Sequence, residues 1–147
     1  MRLLAAVDIH SAADLVVEEA VKWAQRLGGT LSLTFVDEYE YSAHLIRDPA
    51  IRTVVVQQWD QIGATNQAEL HRLMELVPKA MRGAPVYLRG RAAETVCEAA
   101  KGYDALLVAT HGRRGLDHFF LGSVAERIVR RAPCPVVVLR LPDADKR

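Results

Sequence analysis

The chain has 147 residues, of which half are hydrophobic and a quarter are charged, and its formal net charge at pH 7 is +1. That length suits one domain around a single hydrophobic core, and we expect it to cover residues 1–147. The balanced charge gives no overall attraction to nucleic acid or to a membrane surface. The apolar runs fall well short of the roughly 20 residues that a membrane-spanning helix needs.

The chain begins with a short apolar run, "LLAAV" at 3–7, which ends at Asp8. This run is too short for the apolar region of a signal peptide, so we interpret it as the first strand. Cys97 and Cys134 are the two cysteines of the sequence. The sequence has few cysteines and shows no export signal. We therefore expect the protein in the reducing environment of the cytoplasm.

Short apolar runs separated by helical patterns predict five strands. They cover residues 3–7, 31–36, 85–89, 105–109 and 135–140. The first, fourth and fifth runs are apolar throughout, which is typical of parallel strands covered on both faces. Strands that alternate with helices imply right-handed βαβ units. The sequence therefore predicts an α/β fold of the Rossmann-like kind, an open parallel sheet between two helical layers.

Helical patterns occupy the segments between these runs. The first opens at Ser11 and Asp14, which are spaced as in a capping box, and stops at Gly28. A longer pattern covers about 51–82, where we expect Pro78 to distort the last turns.

Two groups of residues follow strands at the edge where parallel sheets bind ligands. Asp8 comes directly after the first strand. After the fourth strand, Gly112 and Gly115 permit a close approach of the backbone to a ligand. Gly122 and Ser123 then open a helix whose first amides and dipole would form an anion site.

The same residues also have purely structural interpretations. Ser123 and Glu126 match a capping box, which would use the hydroxyl and one amide without any ligand. Asp8 could cap its own turn, and Gly90 could be a turn glycine. Neither a P-loop nor a dinucleotide-binding glycine fingerprint follows the first strand. From spacing alone, the choice between a phosphate cradle and an ordinary turn stays open.

No arrangement of residues in the sequence points to catalysis. Cys97 lies on the apolar stripe of its helix, as an inert core thiol does, and Cys134 stands between prolines. His111, Asp117 and His118 lack the spacing of a helical metal motif. We therefore expect no catalytic residues and no metal site.

Residues 110–140, "THGRRGLDHFFLGSVAERIVRRAPCPVVVLR", closely resemble the C-terminal signature of the universal stress protein family. The resemblance extends to "AAVDIHSAAD" near the start, "LSLTFVDE" in the second strand and "RGRAAETVCEAA" after the third. Nucleotide-binding members carry G-x-x-G, then nine residues, then G-[ST]. Here Gly112, nine intervening residues and Gly122-Ser123 keep that register, whereas Ala109 replaces the first glycine.

The resemblance implies a single-domain, nucleotide-binding member with strand order 3-2-1-4-5. Its cofactor would be ATP, or else ADP or AMP, with Mg²⁺ accompanying a triphosphate. Asp8 would lie near the ribose and adenine, Val36 would touch adenine through its backbone, and Gly90 would leave room for the base. The residues implied around the phosphates are Ala109, His111, Gly112, Arg113, Gly122, Ser123 and Val124.

The function implied by the resemblance is that of an ATP-binding regulatory protein of the stress response. It would not be an enzyme, or at most would hydrolyse ATP slowly, because no residue is placed to activate water. The alternative is a dimeric interaction module with an empty or vestigial nucleotide pocket. Ala109, in place of a glycine, favours that alternative.

The fifth strand would lie at an edge of the sheet in the implied strand order, and an exposed edge invites pairing with another chain. The resemblance implies a homodimer in which two such strands pair across a two-fold axis. The strand residues involved are Val136, Val137, Val138 and Leu139. A monomer whose edge is covered by the tail "PDADKR" is the alternative.

Overall fold

The computed structural model describes residues 1–38, 45–110 and 121–141. They form a five-stranded parallel sheet in the order β3-β2-β1-β4-β5, so the predicted fold class and strand order are confirmed. The strands are β1 (Arg2–Ala6), β2 (Thr30–Asp37), β3 (Arg82–Arg89), β4 (Ala105–Thr110) and β5 (Val136–Arg140). The helices are α1 (Ala13–Leu27), α2 (Pro49–Glu75), α3 (Ala92–Ala100) and α4 (Ser123–Arg131).

Side chains of the strands enter two apolar layers, one on each face of the sheet. Leu3 and Leu107 pack in the layer that contains α1 and the C-terminal half of α2. Leu4 and Leu106 pack in the layer that contains α3 and α4. Because both faces of these strands are covered, their sequences are apolar throughout rather than alternating. Within the described ranges, no helix combines the length and apolar character needed to cross a membrane.

β5 is less covered than its apolar sequence predicts. Leu139 is 1% exposed, whereas Val138 is 36% exposed. β5 pairs with β4 on one side and ends the strand order, so its outer edge has no partner strand in the described part of the chain.

The predicted capping box at Ser11 and Asp14 is wrong. The residue that precedes α1 is Ala12, which has a left-handed backbone (φ 51°, ψ 29°) and gives no side-chain cap. Ser11 therefore stands one position too early to cap the helix, and Asp14 instead pairs with Arg72 of α2 at 2.8 Å. The predicted stop is confirmed, because Gly28 adopts a left-handed conformation after the last residue of α1.

α2 begins before the predicted boundary at residue 51. The side chain of Asp48 accepts hydrogen bonds from the amides of Ala50 at 2.8 Å and Ile51 at 3.3 Å. Pro49 occupies the first turn, where its missing N–H costs nothing. An Asp–Pro pair is therefore the start signal of this helix.

The end of α2 also differs from the prediction, because the helix stops at Glu75 and Pro78 lies beyond it. A short 3₁₀ helix, Lys79–Met81, leads directly into β3, which begins at Arg82 rather than at residue 85. The amide of Ala84 donates to the Ser32 hydroxyl at 3.0 Å. This contact with β2 precedes the apolar run from which the strand was predicted.

Three polar side chains join β2, β3 and α2 near the carboxyl ends of the strands. Asp37, which is 4% exposed, accepts hydrogen bonds from the Tyr87 hydroxyl at 2.5 Å and from Asn66 Nδ2 at 3.2 Å. Asn66 is itself 3% exposed. We call these residues the Asp37 cluster. A buried carboxylate is tolerated because hydrogen-bond donors replace the water it has lost.

Gly63 lets α2 approach the Asp37 cluster closely. It is buried in the helix interior, where a Cβ atom would lie 3.0 Å from Tyr87 Oη and 3.2 Å from Arg89 Nη2. Arg89 also pairs with Asp60 of α2 at 3.6 Å. A glycine at residue 63 thus leaves room for the Tyr87 and Arg89 side chains of β3 against α2.

The Tyr87 hydroxyl should ionise at a higher pH than an ordinary tyrosine. Its pKa is raised from 10.0, first by burial and then by its hydrogen bond to Asp37. A pKa that is higher in the folded state gives stability below the unfolded value, and this stability is lost as pH rises through the folded pKa. In a phenolate absorbance titration we expect a component above pH 10.0 that Tyr87→Phe removes and Tyr103→Phe leaves. Loss of an ordinary component near pH 10.0 in Tyr87→Phe, with the late component kept, would contradict the hydrogen bond.

Candidate functional site

The strand order reverses between β1 and β4. From β1 the chain proceeds to β2 and β3 on one side, and then crosses to β4 and β5 on the other. In open parallel sheets a ligand binds beyond the carboxyl ends of the strands at such a reversal. Ala6 lies opposite Val108 in the last paired position. The residues that follow, from Asp8 on one side and Thr110 on the other, therefore border this crevice.

Asp8 organises the turn after β1. Its Oδ1 atom accepts a hydrogen bond from the amide of His10 at 3.0 Å, and its carbonyl accepts one from the amide of Ser11 at 3.1 Å. Asp8 thus caps its own turn, which was one of the two interpretations of this residue from the sequence. Its side chain is exposed at the crevice, so the carboxylate is also accessible to a ligand.

The main chain of Val36 faces the crevice. In a parallel strand, successive residues direct their N–H and C=O groups alternately to the two neighbouring strands. The Thr34 carbonyl accepts from the Val7 amide at 2.9 Å on the β1 side, and the Asp37 carbonyl accepts from the Gly90 amide at 3.1 Å on the β3 side. Val36 therefore points its N–H and C=O past the end of β1, while its side chain packs in the layer of α3 and α4.

Gly90 has a structural reason to be glycine. Its φ of 139° is rarely adopted by residues with a side chain. An added Cβ would also lie 2.7 Å from the Thr95 hydroxyl. Both constraints act without a ligand, so the turn interpretation explains this glycine by itself.

The N-terminus of α4 is not closed by the capping box that the structural interpretation requires. The N-cap is Gly122, and Ser123 already belongs to the helix. The Glu126 amide donates to the Gly122 carbonyl at 2.9 Å, and its carboxylate pairs with Arg130 at 2.9 Å. Because the N-cap has no side chain, it supplies no oxygen to the first amides of α4.

Space and exposure at this terminus suit a ligand. Gly122, Ser123 and Val124 are all exposed. A Cβ atom added at Gly122 would meet no atom of the described residues within 4 Å. The amides of a helix's first turn and the positive end of its dipole attract anions at such a position.

α3 starts at the same edge of the sheet but differs in its first turn. The Glu38 carboxylate, directly after β2, accepts a hydrogen bond from the amide of Ala92 at 2.8 Å. An internal anion therefore already lies at the N-terminus of α3. The N-cap of α4 supplies no such group.

Ala109, which replaces the first glycine of the family motif, pairs with Leu139 of β5. Its methyl group packs against the layer of α1 and α2. α4 packs on the other face, where Ile128 and Val108 belong to the same apolar layer. The fold thus accommodates the methyl group on the face opposite to α4.

The remaining predicted residues, His111, Gly112 and Arg113, lie outside the described residues, as do Gly115, Asp117 and His118. In the three described ranges, no group of three His, Cys, Asp or Glu side chains is arranged to hold a metal ion.

The two cysteines have features of structural thiols. Cys97 is buried between α3 and α4, with its Sγ atom 3.9 Å from the Ile128 carbonyl. The pKa values of Cys97 and Cys134 are both raised, chiefly by burial. Since the thiolate is the reactive form, raised pKa values make both thiols poor nucleophiles at neutral pH.

Sequence reasoning missed the Asp37 cluster, which lies beside the main chain of Val36. Its hydrogen bonds join residues 29 and 50 positions apart, beyond the reach of any local pattern. The available signal was Asp37 itself, an acidic residue at the end of a run that the structure buries.

Two curated relatives match parts of the chain. A universal stress protein from Methanocaldococcus jannaschii is 42% identical over 57 residues, covering 37% of this chain and 34% of the relative. One from Thermus aquaticus is 37% identical over 67 residues, covering 42% of this chain and 49% of the relative. The chain thus matches about a third and about a half of the lengths of these relatives.

Solved structures share the fold over nearly the whole chain. A universal stress protein from Lactobacillus plantarum superposes with a TM-score of 0.75 at 23% identity, covering 95% of this chain and 97% of its own. A universal stress protein in complex with cAMP gives 0.65 at 16% identity, covering 95% and 96%. One from Archaeoglobus fulgidus in complex with dAMP gives 0.59 at 16% identity, covering 94% and 96%.

The family match spans all the elements of the sheet. The model of the universal stress protein family covers residues 1–140, from the first residue of the chain to the end of β5. This range includes all the candidate binding residues. The chain belongs to the universal stress protein family.

Proposed function

We propose that this chain is a cytoplasmic regulatory protein that binds an adenine nucleotide, ATP foremost, at the carboxyl edge of its sheet. The observation that carries the proposal is the N-terminus of α4, which is exposed and has a glycine as its N-cap. Phosphate is the anion that such helix ends commonly bind. Family members of the same fold are described as complexes with cAMP and dAMP. The free thiols support a reducing compartment.

The base would bind at the other end of the crevice. Adenine carries an amine donor and ring-nitrogen acceptors on its edges. The Val36 main chain offers one donor and one acceptor in the crevice, which matches that pattern. The exposed Asp8 carboxylate is available to ribose hydroxyls.

In this proposal His111, Gly112 and Arg113 complete the phosphate site, together with any Mg²⁺ that accompanies the triphosphate. The position of the Ala109 methyl group, on the face opposite to α4, supports a working site rather than a vestigial one.

A valine at Gly122 tests the phosphate end. A Cβ at residue 122 meets no atom of the described residues within 4 Å, so we expect Gly122→Val to fold normally. It would occupy the space in front of the first amides of α4 and weaken ATP binding by at least about tenfold, or roughly 1.4 kcal/mol. Isothermal titration calorimetry with ATP and Mg²⁺ measures this change.

Gly102→Val is the matched control, because a Cβ at Gly102 also meets nothing within 4 Å. This control should bind ATP as the parent does. Equal ATP affinity in Gly122→Val and the parent would contradict the phosphate site. A parent that binds no ATP would instead favour the interaction module.

We also propose that bound ATP is turned over slowly or not at all. Among the described residues that border the crevice, Asp8 is already used in its own turn. We expect phosphate release slower than about 1 per second, near the low end of enzyme rates. A faster rate in a continuous phosphate-release assay would make the protein an enzyme.

Dimerisation through β5 is the further part of this proposal. The strand lies at the sheet edge and Val138 is 36% exposed, so a second copy of β5 could add to the sheet. Light scattering at micromolar concentration should give the mass of a dimer. Val138→Lys should shift the population toward monomer, because a charged side chain opposes edge pairing. A monomeric parent would remove the dimer.

A further inference from the structure

We propose that Asp37 is a positioning residue for base recognition: held by Tyr87 and Asn66, it fixes the end of β2 so that Val36 presents its main chain to the base. The inference rests on the proposed nucleotide binding and assigns a role to a cluster that does not touch the phosphates. In this inference, the affinity for the base depends on the side chains of Asp37, Tyr87 and Asn66, none of which is proposed to contact the base.

Beyond the end of β1, the main chain of β2 is paired on its β3 side. On the β1 side, the hydrogen bond from Val7 to Thr34 precedes Val36, and the chain then turns away at Asp8. On the other side, the Asp37 carbonyl accepts from the Gly90 amide at 3.1 Å. Val36 pairs with Leu88 in the same ladder, and the anchoring of residue 37 fixes the main chain on the C-terminal side of Val36.

The Asp37 side chain supplies that anchor from two different elements. Tyr87 of β3 donates its hydroxyl at 2.5 Å, and Asn66 of α2 donates its amide at 3.2 Å. The carboxylate and the asparagine are almost completely buried, at 4% and 3% exposure. Buried polar networks of this kind make a local structure rigid, because any displaced group would be left without a partner.

Tyr87 is itself fixed in place. Its ring lies 6.1 Å from that of Phe35 and 6.0 Å from the Arg89 guanidinium. Gly63 of α2 leaves the space that the hydroxyl fills, since a Cβ there would approach it to 3.0 Å. A methyl group at residue 63 would therefore displace the Tyr87 hydroxyl or the Arg89 guanidinium by a few tenths of an ångström.

The test compares two ligands that share the phosphate end. ATP would use both Val36 and the N-terminus of α4, whereas inorganic tripolyphosphate would use only the latter. We expect Tyr87→Phe to weaken ATP binding roughly three- to tenfold and to leave tripolyphosphate binding unchanged in calorimetric titrations. Gly63→Ala should give a smaller loss of the same ATP-selective kind, although it introduces a stronger helix former.

Tyr103→Phe is the matched control. This half-buried tyrosine precedes β4 at the opposite edge of the sheet, where the Arg2 guanidinium lies 5.0 Å from its ring. The control should bind both ligands as the parent does.

Equal weakening of both ligands by Tyr87→Phe would indicate general loosening and overturn the inference, as would unchanged ATP affinity. A parent that binds tripolyphosphate as tightly as ATP would also overturn it, while leaving the phosphate site intact. A parent that binds neither ligand would overturn the proposed nucleotide binding, and the positioning role with it.

Discussion

Parallel pairing of all the strands brings their carboxyl ends to one edge of the sheet. Because each crossover is made by a helix, the following helices also begin at this edge and direct their positive dipole ends toward it. The reversal of strand order between β1 and β4 then leaves a crevice that no strand fills. The candidate binding groups among the described residues lie at this edge for that reason.

The helix ends at this edge are not equivalent. Glu38 supplies a carboxylate to the first turn of α3. Gly122 supplies no side chain to α4, and no atom of the described residues lies within 4 Å of the place where its Cβ would be. Within the described residues, one helix end thus receives a carboxylate from the chain, and the N-cap of the other supplies no side chain. The main chain of Val36 adds a neutral donor and acceptor at the far end of the crevice. A ligand with an anionic end and a flat, hydrogen-bonding end complements this arrangement.

The sequence predicts the sheet well, because buried parallel strands are marked by continuous apolar runs that need no long-range information. Predictions that depended on one residue's conformation were less successful. Ser11 does not cap α1 because Ala12 adopts a left-handed backbone before the helix begins. Ser123 does not cap α4 because the helix starts one residue earlier than a capping box requires.

Features that depend on tertiary contacts were beyond sequence reasoning. Asp37, Asn66 and Tyr87 meet only after β2, β3 and α2 have packed together. The direction of the Val36 main chain follows from strand register, which no local pattern gives. The register of Gly122 and Ser123, by contrast, was available from the family resemblance.

A nucleotide that spans the crevice would contact both of its ends in a single binding event. Titrating isotope-labelled protein with ATP and Mg²⁺, while following the backbone amide resonances by NMR, tests this directly. Val36 and Ser123 should shift together with one dissociation constant, and Tyr103, at the opposite edge, should not move. Shifts confined to Ser123 would contradict base recognition by β2, and shifts clustered away from both ends would contradict a nucleotide site in this crevice.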